Sequence, residues 1–147
     1  MIETALIFDR EGKTLRFFEP PGRSAGYIPD IQATGDMDWE DRFDQILFYY
    51  VQENAGIIGG IAHTHPWDGP AAPSSTDLRT FRVLDSLVPG RNLLYPVVTF
   101  TDIAWITRNV LTNECVPVDS KYITFTLEGL EELRKRSRTG SEEFPCQ

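Results

Sequence analysis

The stretch Ile57-Ile58-Gly59-Gly60-Ile61-Ala62-His63-Thr64-His65-Pro66 decides how this 147-residue chain is read. An apolar run bounded by Gly56 and Pro66 is a buried-strand pattern, and successive strand side chains point to opposite faces. His63 and His65 therefore project side by side from one face. After a loop of Gly, Pro and Ala comes Ser74-Ser75-Thr76-Asp77, whose aspartate can return to the histidines as an oxygen ligand. Two imidazoles and a carboxylate leave the fourth tetrahedral position of a zinc ion to water, the pattern of catalytic rather than structural zinc. Ser74-x-x-Asp77 ahead of an apolar run is also a helix capping box, and the two readings are compatible.

Working outward, residues 39–54 place Trp39, Phe43, Ile46, Leu47, Tyr50 and Val51 at the helical period, with Asp38 as N-cap and Gly56 as the stop. This helix feeds directly into the His63 strand and is expected to pack on one face of its sheet. Beyond the loop, Leu78, Phe81, Leu84 and Leu87 recur every three residues, which predicts a helix from near Asp77 to just before Pro89-Gly90. Residues 3–8 and 14–18 read as a hairpin with Gly12 in its turn. Residues 19–38, rich in Pro and Gly and without a period, read as a long irregular connection of the kind that is often functional, a candidate to lie over the site.

Downstream, residues 93–100 and 103–107 read as two strands around Thr101-Asp102, with Pro96 at a bulge or edge. Residues 110–118 give another strand-like piece. Leu127, Leu130 and Leu133 mark a last helix, charged outside at Glu131, Glu132, Arg134 and Lys135. The expectation is a mixed α/β fold, with residues 1–138 as a single domain and residues 139–147 as a polar tail.

Composition limits what can surround such a site. Hydrophobic content of 41% and charged content of 24% are ordinary for a globular chain. A net charge of −8 argues against a nucleic-acid partner held by phosphate neutralisation. The first ten residues carry Glu3, Asp9 and Arg10 and lack a cationic start with a long apolar run, and no stretch reaches membrane-spanning length. The cytoplasm is the default compartment. Cys115 and Cys146 lie far apart with no Cys-x-x-Cys pair, so neither a disulfide nor a cysteine-ligated metal is expected, and Cys115 reads as a small buried hydrophobe.

His63-Thr64-His65-Pro66 followed by Ser74-Ser75-Thr76-Asp77 resembles the signature of the JAMM/MPN (JAB-domain) metalloproteases. That signature runs from an upstream Glu to His-Ser/Thr-His-Pro and then Ser-x-x-Asp. The order of hairpin, helix, metal strand, loop and helix extends the resemblance over roughly residues 3–112. The loop between His65 and Ser74 is one residue longer than the usual family pattern, a small change for loop closure. The resemblance implies a mixed sheet flanked by helices, one zinc ion, and hydrolysis of a peptide or isopeptide bond, often at the C-terminus of a ubiquitin-like modifier. It also implies a catalytic Glu at the start of the first hairpin strand. Glu3 matches that position, Glu19 is the fallback, and Glu40 and Glu53 belong to the helix pattern.

The residue types suit that chemistry in their own right. Neutral imidazoles and one carboxylate leave zinc net positive, so its water is acidified toward neutrality. Glu3 is placed to take the water's proton and deliver it to the leaving amine. The Ser74 hydroxyl, held near the metal by the tight spacing to Asp77, can donate to the developing oxyanion. Trp67 and Asp68 are candidates for substrate contact or for packing. A zinc deaminase would need a Pro-Cys-x-x-Cys pair, and a serine triad a further histidine, yet His63 and His65 are the only two. The reading is a zinc-dependent protease or isopeptidase acting on a protein substrate, with no nucleic-acid or membrane partner. The alternative is an inactive metal-binding scaffold or interaction module in a larger assembly.

Overall fold

A computed structural model describes residues 3–18 and 39–143. Five strands form one mixed sheet in the order β2-β1-β3-β4-β5. β1 (Ala5–Asp9) and β2 (Thr14–Phe18) make the expected antiparallel hairpin. Gly12 turns it at φ +87°, a left-handed conformation that costs glycine nothing. β3 (Ile58–Thr64) runs antiparallel to β1, pairing Ala5 with His63 and Ile7 with Ile61. β4 (Val97–Val98) lies parallel to β3 on its other side, and β5 (Ile103–Ala104) returns antiparallel to β4. Gly60 allows the close approach on that side: a Cβ there would sit 2.0 Å from the Leu94 carbonyl oxygen.

Among the described residues three α-helices cover the two faces: α1 (Trp39–Glu53), α2 (Ser75–Ser86) and α3 (Leu130–Glu143). The two-residue period of the strands sorts their side chains between them. Ala5, Ile7 and Ile61 pack with Leu47 and Val51 of α1 and with Phe81 and Leu84 of α2. Leu6, Phe8, Ala62 and Val98 point the other way, onto Leu127 and onto Leu130 and Leu133 of α3. Full burial of such side chains stabilises the fold by about 1.5–3 kcal/mol each. The result is the α/β architecture expected, with apolar layers on both sides of the sheet. Among the described residues no helix is long and apolar enough to cross a membrane.

The sequence reading needs correction after α2. The strand expected over 93–100 keeps ladder pairing only at Val97–Val98, with isolated bridges from Leu94 to Gly60 and to Thr107, because Pro96 between them has no N–H to donate to β3. The strand expected over 103–107 divides at Trp105. Its second part begins β6 (Ile106–Asn109), which pairs with β7 (Glu114–Pro117) in a separate two-stranded sheet. The piece expected over 110–118 is therefore half turn: Asn109 Oδ1 accepts from Leu111 N at 2.9 Å, and Asn113 adopts φ 59° to reverse the chain. α3 runs on to Glu143, so residues 139–143 belong to a helix rather than to the polar tail. The buried stripe carries it, since Ser137, one turn beyond Leu133, is fully buried. Residues 19–38, with Glu19 and Asp38, lie outside the described residues.

A buried ionic contact ties β6 to α2. The Asp85 side chain is 2% exposed, and its Oδ1 accepts from Leu93 N at 3.2 Å and from Tyr95 Oη at 3.0 Å. Its other oxygen lies 2.6 Å from Arg108 Nε, an ion pair without hydrogen-bond alignment.

Candidate metal centre

The end of β3 carries His63 and, one step beyond it, His65, whose N–H continues the parallel pairing by donating to Val98 O at 2.9 Å. Both imidazoles lie on the α2 side of the sheet. Their Nε2 atoms are 3.2 Å apart. Phe81 packs edge-on against the His63 ring, and Trp67 lies against the His65 ring with 4.6 Å between centroids.

Asp77 reaches the histidines from the first turn of α2. Its Oδ2 stands 3.1 Å from His63 Nε2 and 3.0 Å from His65 Nε2. Both partners of the capping box are present: Ser74 Oγ accepts from Asp77 N at 3.0 Å, and Asp77 Oδ2 accepts from Ser74 N at 2.9 Å. The cap therefore fixes the carboxylate that faces the imidazoles. Burial opposes the charge on Asp77, but the hydrogen bonds to His63 and His65, the electrostatic attraction of His63 and the Ser74 N–H outweigh it, and hold the carboxyl far below the usual carboxylate range.

The three donor atoms thus make a nearly equilateral triangle with edges of 3.0–3.2 Å. Four-coordinate zinc, with bonds of about 2.0–2.1 Å, sets neighbouring donors roughly 3.3 Å apart. Two imidazole nitrogens and a carboxylate oxygen at these separations therefore fit such an ion.

Glu3 comes to the same place from β1. Continuing the pairing of Ala5 with His63 two residues back sets Glu3 opposite His65, and alternation turns it to the face that Ala5 and Ile7 share. One carboxylate oxygen of Glu3 and the donor atoms of His63, His65 and Asp77 all lie within 4.8 Å of one another. The side chain is exposed, so it borders the site at its open side.

Of the site residues anticipated from the sequence, Glu3, His63, His65 and Asp77 come together, and Ser74 adjoins them through its cap to Asp77. Ser74 Oγ accepts from the cap, which leaves its own hydroxyl hydrogen available to a ligand. Trp67 is half exposed beside His65, and Asp68 is exposed. Cys115, expected to be buried, is only partly so: it packs against the α1–α2 core, where desolvation pushes its thiol up.

Several supporting residues carry no motif in the sequence. The loop after Pro66 is held by the turn between β4 and β5. Gly69 N donates to Thr101 Oγ1 and Ala71 N to Asp102 Oδ2, both at 2.8 Å, while Thr99 Oγ1 donates to Gly69 O at 2.7 Å. The Ala71 and Ile103 N–H groups keep the Asp102 carboxyl below its ordinary range. Arg134 of α3 secures the turn from behind, donating to Thr99 O at 2.9 Å and to Asp102 O at 3.3 Å. The turn-prone Thr99-Phe100-Thr101-Asp102 was the available signal, but nothing local says which loop it would hold.

No protein-family model matches the chain, and no curated protein matches it.

Proposed function

We propose that this chain is a zinc-dependent metallopeptidase of the JAMM/MPN type. Its reaction is hydrolysis of a peptide or isopeptide bond in a protein substrate, at the C-terminus of a ubiquitin-like modifier. The observation that supports this most is the convergence of His63, His65 and Asp77 at mutual distances of 3.0–3.2 Å with a second carboxylate, Glu3, at the rim.

His63, His65 and Asp77 would hold zinc, which would supply an acidified water and polarise the scissile carbonyl. Glu3 takes the proton that the attacking water loses and passes it to the leaving nitrogen as the C–N bond breaks. The Ser74 hydroxyl donates to the carbonyl oxygen as it gains charge. Asp77 keeps the ligand set at one negative charge, and its cap to Ser74 keeps both groups in place. Trp67, half exposed next to His65, offers an apolar surface to the substrate chain leaving the site.

The test is a panel of ubiquitin-like proteins carrying C-terminal fusions, incubated with zinc-loaded protein with and without chelator. Cleavage should occur only with zinc. Glu3→Ala should keep stoichiometric zinc and lose turnover, whereas His65→Ala should lose both. Wild-type protein with stoichiometric zinc and no cleavage of any fusion would favour the metal-binding scaffold instead.

A further inference from the structure

Thr4 and Thr64 are buried polar residues on the face of the sheet that α3 covers, each 1% exposed. They stand directly opposite one another, because the register pairing Ala5 with His63 carries on to them. Thr64 N donates to Thr4 O at 2.9 Å. In return, Thr4 N donates to the Thr64 hydroxyl at 2.8 Å. The two hydroxyls are 3.1 Å apart, and Thr4 Oγ1 also donates to the Leu133 carbonyl of α3 at 3.4 Å.

Their place in the chain gives this group a consequence for the site. Thr64 separates the two histidines. The Thr4 N–H belongs to the peptide unit that joins Glu3 to Thr4, so the acceptor on Thr64 sets the plane from which Glu3 departs. Glu3 precedes the first residue of β1, beyond the regular ladder, where a strand end frays unless something holds it. A valine pair would fill the same space against Leu130 and Leu133. Hydroxyls there serve to fix the backbone.

We infer that Thr64 and Thr4 are positioning residues: the Thr64 hydroxyl, braced through Thr4 by the Leu133 carbonyl, locks the Glu3 peptide to the residue between the two histidines and so aims the Glu3 carboxylate at the metal site. The catalytic part of this inference rests on the proposed hydrolase reading; the ordering part does not. Thr4 and Thr64 touch neither metal nor substrate. They act through Glu3 alone.

Thr64→Val, Thr64→Ser and wild type, each zinc-loaded, separate the possibilities through amide hydrogen exchange and 15N relaxation at Glu3 and Thr4, zinc stoichiometry, and kcat and KM on a fusion that wild type cleaves. Thr64→Val should bind stoichiometric zinc, exchange the Thr4 amide at least tenfold faster with Leu6–Phe8 unchanged, and lose kcat on the order of 10²-fold with KM within twofold. Thr64→Ser, which restores the hydroxyl, should recover both readouts. Wild-type exchange or wild-type kcat in Thr64→Val would overturn the inference. So would a Thr64→Ser protein as impaired as Thr64→Val, because the methyl would then be what matters. Should wild type cleave no fusion, the hydrolase reading fails, and the exchange and relaxation data decide the clamp on their own. Thr4→Val and Thr4→Ser address the same bonds from β1 if Thr64→Val does not fold.

Discussion

The Asp77 oxygen that faces both histidines is the same atom that receives the Ser74 N–H at 2.9 Å. A helix cap and a candidate metal ligand are thus one carboxylate, and substitutions at Ser74 can separate the two duties. Ser74→Ala removes the N-cap acceptor and should cost about 1 kcal/mol of stability. It should also loosen the aim of Asp77 and weaken zinc binding roughly tenfold or more. Ser74→Asn keeps a cap but lacks the hydroxyl, so it should retain stability and zinc while turnover falls on the order of 10²-fold. Thermal denaturation, zinc titration and fusion cleavage on the two variants check this.

Zinc should stabilise the fold, since the donor triangle exists only when β3 and α2 are docked. At 100 times its dissociation constant, a ligand specific for the native state adds about 2.7 kcal/mol. A chain of this size should then melt several degrees higher, on the order of 2–4 °C per kcal/mol. Calorimetry with added zinc should show the shift in wild type and in Glu3→Ala, and no shift in His63→Ala or His65→Ala.

The Asp85–Arg108 pair should matter far more when broken than when replaced. Asp85 is 2% exposed, so Arg108→Met leaves a buried carboxylate facing an apolar chain, at a cost of about 3 kcal/mol. Asp85→Asn combined with Arg108→Met should recover part of that loss. Urea unfolding of the single and double variants gives the comparison.

Tyr95 makes stability sensitive to alkaline pH. Burial, followed by the charge of Asp85, raises the phenol well above its ordinary range. The native state therefore resists ionisation that the unfolded chain undergoes near pH 10. The stability linked to this group is complete below about pH 10 and is withdrawn as pH rises through and beyond that value. Tyr95→Phe should be less stable at pH 8, having lost the bond to Asp85, but the gap to wild type should narrow by pH 11. Urea midpoints across that range test the sign.

Much of the centre could be read from the sequence because its residues obey short-range rules. A two-residue period puts His63 and His65 on one face, and a three-residue cap spacing puts Asp77 in the first turn of α2; Glu3 is marked only by the family resemblance, and the β1–β3 register is what brings it to the histidines. What could not be read is what pairs across long separations. Thr4 and Thr64 are 60 positions apart, and only the observed register makes them partners. Asp85 looks from its position like a solvated residue of an amphipathic helix. It is buried because Arg108, Tyr95 and the Leu93 N–H all arrive from a segment whose strands are broken by Pro96 and Trp105. Loop attachments such as Asp102 to Ala71 depend on where two turns meet, and neither turn's sequence encodes the other.

The contact between Thr4 and the Leu133 carbonyl spans 129 positions of the chain. Closing so long a loop carries an entropic cost that local contacts do not, and contacts of that kind form slowly. On a ribosome, both histidines and Asp77 emerge well before α3 does. The β1–β3 register and the bond from Thr4 N to Thr64 Oγ1 need no residue beyond β3, whereas the brace from the Leu133 carbonyl is added only once α3 has been made.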